Sequence, residues 1–279
     1  MDSQAFIPVK SDIVFRLFYA DERNEEFLIS LLKSMLRLPD DDYNDIEIAD
    51  PHLLRDFPAD KLAIIDVKLY TKNRKVIHIE IQLKVPSETE LKKRIILYES
   101  KLITEQIGKG DDYETIQKVV SIIITDEPLL INNQRYHHRF TFFDPDADVE
   151  FSDIIEIHTL ELRKLPDGTD GTELYDWARF IASESDEEMD RIAERNPEVK
   201  KAVARYRELT ADERTRDMYE RREKARRDAA MHQRWAVKQS MLDVARNALK
   251  MNMSIEDIIS LTGLAREDVE GLSKPDQVV

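Results

Sequence analysis

Two short stretches of alternating polar and apolar residues, joined by a polar turn, carry the residue types best suited to catalysis. They cover 63–70 and 76–84, and period-two alternation predicts strands. If the strands pair symmetrically about Asn73, Asp66 lies opposite Glu80. Opposed side chains have Cβ atoms about 4.5–5.5 Å apart, so two carboxylates there repel each other. A divalent cation with oxygen ligands would remove that repulsion. The spacing therefore predicts a metal-assisted site, with a solvated polar face as the alternative.

The same pairing assigns the polar and apolar side chains of this hairpin to opposite faces of a sheet. The expected polar face comprises Asp66, Lys68, His78, Glu80, Gln82 and Lys84. The expected apolar face comprises Ile65, Val67, Leu69, Ile77, Ile79, Ile81 and Leu83. His78 is either a base on the polar face or an ordinary polar strand residue. A β-bulge in either strand would shift the register and separate the two carboxylates.

The elements that must position this hairpin predict an α/β fold. Strand patterns occur at 46–50 and 119–125, and the second run is apolar and β-branched, which is typical of a strand buried on both faces. A helix is predicted from about 89 to 107, and further strands at 136–143 and 154–162. The order strand, strand, strand, helix, buried strand describes a mixed sheet with a crossover helix and flanking helices.

Two N-terminal helices are predicted in front of the first strand. Ser11 and Asp12 are positioned to cap the first helix. The second follows Asn24 and ends before Pro39. Asp12 is also an additional acid near the start of a helix that we expect to pack beside the hairpin.

Composition limits the class of protein. The chain has 279 residues, a formal net charge of -15 and no cysteine, which excludes disulfides and thiolate metal sites and fits a reducing compartment. The first residues lack a basic segment followed by an apolar one, and no apolar stretch approaches eighteen residues. We therefore expect a cytoplasmic protein without a membrane contact. The negative charge argues against nonspecific coating of nucleic acid, but it permits a local, metal-assisted approach to a phosphate.

An ordered series of motifs in the first two thirds of the chain resembles a known family. The motifs are Lys10-Ser11-Asp12 with Phe15 and Phe18, Lys61, Ile65-Asp66-Val67, Ile79-Glu80-Ile81-Gln82, Arg94, Tyr98, Ser100-Lys101-Leu102, Gln106, Gly110, Tyr113, Ile157 and Leu160-Glu161-Leu162. The series is similar to the PD-(D/E)XK nuclease superfamily, and more narrowly to its transposase-like branch, the recombination-promoting nucleases. The resemblance covers about 6–180 and implies a restriction-endonuclease-like core.

The resemblance implies an endonuclease that hydrolyses DNA phosphodiester bonds with Mg²⁺, or with Mn²⁺ in its place. Asp66 and Glu80 match the two metal-binding carboxylates, and the backbone carbonyl of Ile81 would be a further ligand. A metal at this position would lower the pKa of a bound water and stabilise charge on the phosphate.

Gln82 stands where the superfamily usually has a catalytic lysine. Glutamine can orient a water but supplies no positive charge. Lys84, one pleat further along the strand, and Lys68, beside Asp66, are candidates to replace that charge, with an ordinary surface role as the alternative for each. Arg94 and Gln106 are candidate phosphate contacts, or else residues of a partly exposed helix face.

The last third of the chain changes in character. Acidic residues dominate 144–195, whereas basic residues dominate 200–234. Helices are predicted at 174–182 and 186–195, followed by one long helix over about 198–250. Its basic stretch 221–227 either follows a DNA backbone or is a solvated helix with internal ion pairs.

The tail has the rhythm of a helix-turn-helix, with Ser254 as a cap and Gly263 in the turn. Its second helix carries Glu267, Asp268 and Glu270 against a single Arg266, which suits self-association or packing better than a DNA groove. We therefore predict three regions: a nuclease-like core at 1–165, a charge-rich helical extension at 166–250, and a helix-turn-helix-like tail at 251–279.

The expected function is thus DNA cleavage by a metal-dependent endonuclease, with a homo-oligomer formed through the C-terminal helices. Two other hypotheses remain. In the first, the chain kept the nuclease fold but lost efficient chemistry and acts as a DNA-binding or protein-binding module. In the second, it is a repressor-like protein that works through its C-terminal helices.

Overall fold

A computed structural model describes residues 5–49, 66–85 and 87–273 of the chain. Its helices are α1 (Asp12–Tyr19), α2 (Glu25–Met35), α3 (Glu88–Thr104), α4 (Glu173–Ala182), α5 (Asp186–Ala193), α6 (Pro197–Ala211), α7 (Glu213–Lys250), α8 (Ile255–Thr262) and α9 (Arg266–Ser273). Its strands are β1 (Glu47–Ala49), β2 (Val67–Tyr70), β3 (Val76–Gln82), β4 (Val119–Thr125), β5 (His137–Asp144) and β6 (Val149–Glu161). The strands form one mixed sheet in the order β1-β2-β3-β4-β6-β5, which confirms the predicted α/β class.

The predicted hairpin consists of β2 and β3, paired antiparallel with Tyr70 opposite Val76 and Lys68 opposite His78. This register is the one that symmetry about Asn73 predicts. The prediction was wrong at the end of the second strand, because β3 stops at Gln82 and Lys84 lies in an exposed segment beyond it. The predicted strand residues 50 and 63–65 lie outside the described part of the chain.

The centre of the sheet is formed by β3, β4 and β6, which run parallel to one another. Every residue of β4 is buried, as its uninterrupted β-branched run predicts. Helix α3 makes the crossover between β3 and β4. Strand β5 returns antiparallel along β6 and forms the edge of the sheet, with register shifts near Phe142.

The two faces of the sheet are covered by different helices. On one face, the apolar side chains of β2 and β3 join those of α1, α2, α4, α5 and α6 in the main core. The largest fully buried side chains of this core include Trp177, Tyr19, Tyr206, Phe15 and Phe18. On the other face, Leu91 and Ile95 of α3 pack against Ile123 of β4. Lys68, His78 and Glu80 are therefore buried beneath α3, and for these three residues the alternative of a solvated polar face is wrong.

Several predicted helix ends differ in the structure. Ser11 precedes α1, but its side chain makes no capping bond. The long helix predicted over 198–250 is two helices, because Asp212 adopts an extended backbone and its side chain accepts a hydrogen bond from the Thr215 N–H at 2.9 Å. Capping by a short acidic side chain starts a new helix at this point. Helix α3 ends at Thr104, three residues before the predicted end.

By its contacts the chain divides into two units, residues 1–219 and 220–279. The helices between 166 and 211 share one core with the sheet, so the predicted borders at 165 and 250 do not coincide with this division. In the second unit, the end of α7 packs with α8 and α9 around Ala245, Ile258 and Val269.

The tail of the second unit has the local structure that its sequence predicts. The Ser254 hydroxyl accepts a hydrogen bond from the Asp257 N–H at 3.1 Å, and Gly263 ends α8 with a φ of 66°. Among the helices of the described ranges, none combines the length and hydropathy that a bilayer crossing needs.

Candidate active site

Asp66 lies directly before β2 at the end of the β2–β3 ladder. Its Oδ2 accepts a hydrogen bond from the Ile81 N–H at 2.7 Å, which fixes the carboxyl beside the last residues of β3. Burial raises the pKa of Asp66 to about 7, and the neighbouring charges of Glu80 and Asp12 act in the same direction. The hydrogen bond from Ile81 and the charge of Arg16 oppose this rise. The two acids of the hairpin are thus close enough to interact, as the register predicts.

Glu80 is buried in β3 on the face beneath α3, with 8% of its surface exposed. Its Oε1 accepts a hydrogen bond from an Arg94 guanidinium nitrogen of α3 at 2.6 Å. Its Oε2 is buried and has no hydrogen-bond partner among the described residues. Burial raises the pKa of Glu80, while Arg94 opposes the rise. One carboxylate oxygen is therefore paired and the other is left without a donor.

Gln82 is tied to the same arginine. Its Oε1 accepts a hydrogen bond from Arg94 at 2.8 Å, and its Nε2 donates to the Lys84 backbone carbonyl at 2.8 Å. Arg94 thus bridges the positions of the second acid and of the glutamine. The sequence predicted Arg94 as a phosphate contact and did not predict this bridge.

Asp12 stands at the first position of α1, and its charge contributes to the raised pKa of Asp66. Helix α1 therefore brings a third carboxylate toward the hairpin, where the sequence predicted an additional acid. Lys10 lies just before the helix and forms ion pairs with Asp126 at 2.9 Å and Glu184 at 2.7 Å. These two contacts attach the N-terminal segment to the carboxyl end of β4 and to the segment after α4.

Lys68 and Gln106 line a separate cavity of about 270 Å³ at the other end of the hairpin. Lys68 is buried and paired with Glu105 at 3.0 Å. The Gln106 side-chain amide accepts a hydrogen bond from the Gln117 N–H at 2.8 Å and donates one to the Gln117 carbonyl at 3.1 Å. It therefore holds the loop between α3 and β4. The structure therefore does not bring either residue to the Asp66 and Glu80 carboxyls.

A buried polar cluster lies between α3 and the sheet, and the sequence reasoning missed two of its three members. The Ser121 hydroxyl of β4 donates to Glu99 of α3 and also contacts the His78 ring. Burial lowers the pKa of His78 to about 3 and raises the pKa of Glu99 to about 9. His78 is fully buried and neutral, which does not suit a base that must reach a substrate. The helical spacing of Glu99 with Ile95 and Leu102 was the signal for its burial.

The donor set at the hairpin fits a divalent cation. Asp66 and Glu80 offer hard oxygen ligands, and the buried Glu80 Oε2 has no other partner among the described residues. Burial is the largest cause of the raised pKa of Asp66, and the negative charge of Glu80 adds to it. A bound cation would relieve both the burial of charge and this repulsion. No three histidine, cysteine or carboxylate side chains converge as a metal cluster within 5–49, 66–85 and 87–273. The side-chain ligands on the hairpin itself would be the carboxylates of Asp66 and Glu80.

The PD-(D/E)XK nuclease fold is defined by three features that this chain shows. They are a mixed sheet with a crossover helix, an acid before β2, and the residues Glu80-Ile81-Gln82 at the end of β3. A family model described as PD-(D/E)XK nuclease family transposase matches residues 9–236, and the chain belongs to this family. No curated protein and no solved structure gives a significant match. Nuclease-like function follows from the family, whose superfamily usually uses divalent metals and acts on DNA.

Proposed function

We propose that this protein is a Mg²⁺-dependent endonuclease that hydrolyses phosphodiester bonds of DNA, with Mn²⁺ as a substitute metal. The observation that carries the proposal is the position of Asp66, fixed by the Ile81 N–H beside the buried Glu80. These two carboxylates, with the Ile81 carbonyl, would hold the metal. When bound, a divalent cation at this point supplies an activated water and stabilises charge on the phosphate.

The remaining residues have separate roles in this proposal. The Gln82 amide orients a water, since it can both donate and accept hydrogen bonds. With Glu80 engaged as a metal ligand, Arg94 would be free to pair with the phosphate, for which its guanidinium fork is suited. Lys84 is exposed just beyond the end of β3. It is the lysine nearest to Gln82 in the sequence, and it would supply the positive charge that the glutamine lacks. Lys68 and Gln106 have structural roles instead, because Lys68 is buried in an ion pair with Glu105 and Gln106 holds the backbone of Gln117.

A supercoiled plasmid incubated with the purified protein and Mg²⁺ tests the proposal. We expect nicked or linear product from the unmodified chain. Asp66→Ala should lower the cleavage rate by about 100-fold or more, because one of the two metal-binding side chains is lost. Asp153→Ala removes an exposed acid of β6 and is the matched control, which should cleave normally. Equal plasmid survival with the unmodified chain and with Asp66→Ala would refute the proposal that the protein is a nuclease.

A second candidate function is a nuclease-fold protein that binds DNA or protein without efficient chemistry. Its supporting observation is Arg94, which neutralises Glu80 and holds Gln82 at once. In that case Mn²⁺ should fail to displace Arg94 and should not raise the thermal stability of the protein. A rise that depends on Asp66 would favour the enzyme. Assembly through the C-terminal helices is a further proposal, which sedimentation of the chain with and without residues 220–279 would test.

A further inference from the structure

A second candidate site lies at the far edge of the sheet, in a cavity of about 330 Å³ between the end of α2 and the start of β5. Basic side chains dominate its wall, with Lys33 and Arg37 on one side and Arg135, His137 and Arg139 on the other. Buried Met35 and Leu36 complete the wall. A concentration of cations is unexpected in a chain whose net charge is -15.

The cavity is separate from the candidate active site. Register across the sheet relates Glu80 to Ile123, Ile123 to Thr159 and Thr159 to His138. His138 therefore shares the face of Glu80, and the adjacent His137 points to the opposite face. The cavity also lies three strands from β3, or roughly 14 Å at the usual strand spacing.

The positive charges of the cavity are only partly balanced. Lys33 pairs with the exposed Asp40 at 3.1 Å. Arg139 pairs with Glu156 at 2.7 Å, and Lys118 shares the same carboxylate at 2.8 Å.

Arg37 and Arg135 are both exposed, and neither side chain forms an ion pair or a hydrogen bond with another described residue. Both nevertheless lie near the His137 ring. Burial, followed by the charges of His158, Arg135, His138 and Arg37, lowers the pKa of His137 to about 4. The two arginines are permanent cations, and their charges disfavour a further proton on this ring.

The wall formed by β5 and β6 is held in place by a chain of hydrogen bonds. Glu156, which is almost fully buried, accepts a hydrogen bond from His158 Nε2 at 2.7 Å. His158 Nδ1 and His137 Nε2 share a hydrogen bond of 2.9 Å, and the two rings stack with their centroids 5.1 Å apart. Arg139 is fixed by the same Glu156. One guanidinium and one imidazole therefore face the cavity in a prearranged position.

Cations at a helix C-terminus usually need no ligand, because they balance the partial negative charge of the last carbonyls. That account covers Lys33 in the last turn of α2. It leaves out Arg37, which lies two residues beyond the end of the helix, and Arg135 and Arg139, which belong to the segment before β5 and to β5 itself. Three arginine side chains line one concave space, and guanidinium groups pair well with the oxygens of a phosphate group. The volume lies at the lower end of the range for small-molecule sites.

We propose that the cavity bounded by Arg37, Arg135 and Arg139 binds a phosphate group. The group comes either from a nucleic-acid backbone or from a free phosphate compound. Arg37 and Arg135 supply the unbalanced charge, and Arg139 supplies a fixed donor. The site does not depend on the metal or on the nuclease activity.

Calorimetric titration of the full chain with inorganic phosphate tests the proposal, with the His137 ring resonance as a second readout. Binding should weaken by about tenfold or more in the double variant Arg37→Ala/Arg135→Ala, because two charge-assisted contacts are lost. Lys200→Ala/Arg214→Ala removes two exposed cations elsewhere in the first unit and should bind phosphate normally. Thermal unfolding of both double variants should match that of the unmodified chain.

A metal-free titration with a 20-base-pair duplex separates the two sources of the phosphate. Weaker duplex binding in Arg37→Ala/Arg135→Ala, together with displacement of the duplex by phosphate, assigns the site to a nucleic-acid backbone. Unchanged duplex binding assigns it to a free phosphate compound. Undetectable phosphate binding, or equal binding by both double variants, overturns the proposal. Asp66→Ala should bind phosphate normally, so a failure of the nuclease and a failure of this site give different results.

Discussion

Arg94 is the side chain on which the state of the candidate active site depends. It donates to Glu80 at 2.6 Å and to Gln82 at 2.8 Å, and so occupies one of the oxygens that a metal would use. A buried carboxylate without a donor or a cation is destabilising. Arg94 therefore performs in the metal-free protein the electrostatic task that a cation would take over.

The first residue-scale prediction concerns Arg94→Met. In the absence of metal this change leaves the Glu80 carboxyl without its donor, and we expect the free energy of unfolding to fall by about 1–3 kcal/mol. Added Mn²⁺ should raise the melting temperature of Arg94→Met by more than that of the unmodified chain, because the metal no longer competes with the arginine. Chemical and thermal unfolding with and without Mn²⁺ measure both effects.

The control for this change is Lys93→Met, which alters an exposed neighbour on the same helix. It should leave the stability and the response to Mn²⁺ unaltered. If Arg94→Met and Lys93→Met have the same free energy of unfolding and the same response to Mn²⁺, the ion pair between Arg94 and Glu80 contributes nothing to stability. Competition between Arg94 and the metal is then refuted.

Part of this arrangement could be predicted from single residues and part could not. Alternation along β3 was enough to place Glu80, Gln82 and His78 on one face. The bridge by Arg94 depends on how α3 is rotated over the sheet, which no local pattern records. Lys84 was misplaced because apolar and polar residues continue to alternate after the backbone has left the sheet at Gln82.

At the scale of elements, α3 covers the polar face of β2 and β3 and buries it. Its apolar residues Leu91, Ile95 and Leu102 are buried, and Glu99 is buried among them at 1% exposure. Such a carboxyl is kept neutral by its surroundings. The stability of the contact between α3 and the sheet should therefore depend on pH.

The second prediction compares Glu99→Gln with the unmodified chain. The folded protein keeps the Glu99 proton up to about pH 9, whereas the unfolded chain releases it near 4.5. Between these values the folded state binds more protons, so the stability of the unmodified chain falls as the pH rises. Between pH 5 and pH 8, the free energy of unfolding of the unmodified chain should fall by about 2–4 kcal/mol relative to that of Glu99→Gln.

Urea unfolding at several pH values between 5 and 8 measures this shift. Any constant effect of the amide on packing cancels, because only the change with pH is compared. Glu90→Gln removes an exposed carboxyl of the same helix and should follow the unmodified chain. A difference between Glu99→Gln and the unmodified chain that is the same at pH 5 and pH 8 would contradict a neutral buried Glu99.

Strands and most helices could be predicted because their signals are local. The run at 119–125 and the alternation at 76–82 each contain their own periodicity. The break between α6 and α7 was missed since Asp212 is a single capping residue inside a continuous charged pattern. The contribution of α4 to the core was missed for another reason, because Trp177 and Phe180 join the main core only after a long return of the chain.

At the scale of the whole molecule, the two units have separate interiors. The buried cluster of the second unit draws on 241–272, and the main core of the first draws on residues up to Tyr219. The second unit contains α9, whose Arg266 already pairs with Glu256 at 2.9 Å and Glu270 at 3.4 Å. An acidic helix whose arginine is already ion-paired is poorly suited to contact bases in a DNA groove.

The last prediction therefore concerns a chain that ends at Tyr219. Because the first unit keeps its own core, its melting temperature should change by less than about 4 °C. Its affinity for a 20-base-pair duplex should be unchanged, since residues 220–279 hold eleven basic and ten acidic residues and their removal changes the net charge by only one. Circular dichroism and fluorescence anisotropy measure the two quantities, and Asp66→Ala in the shortened chain controls for the metal site. Loss of duplex binding with intact folding would instead support a repressor-like protein that recognises DNA through its C-terminal helices.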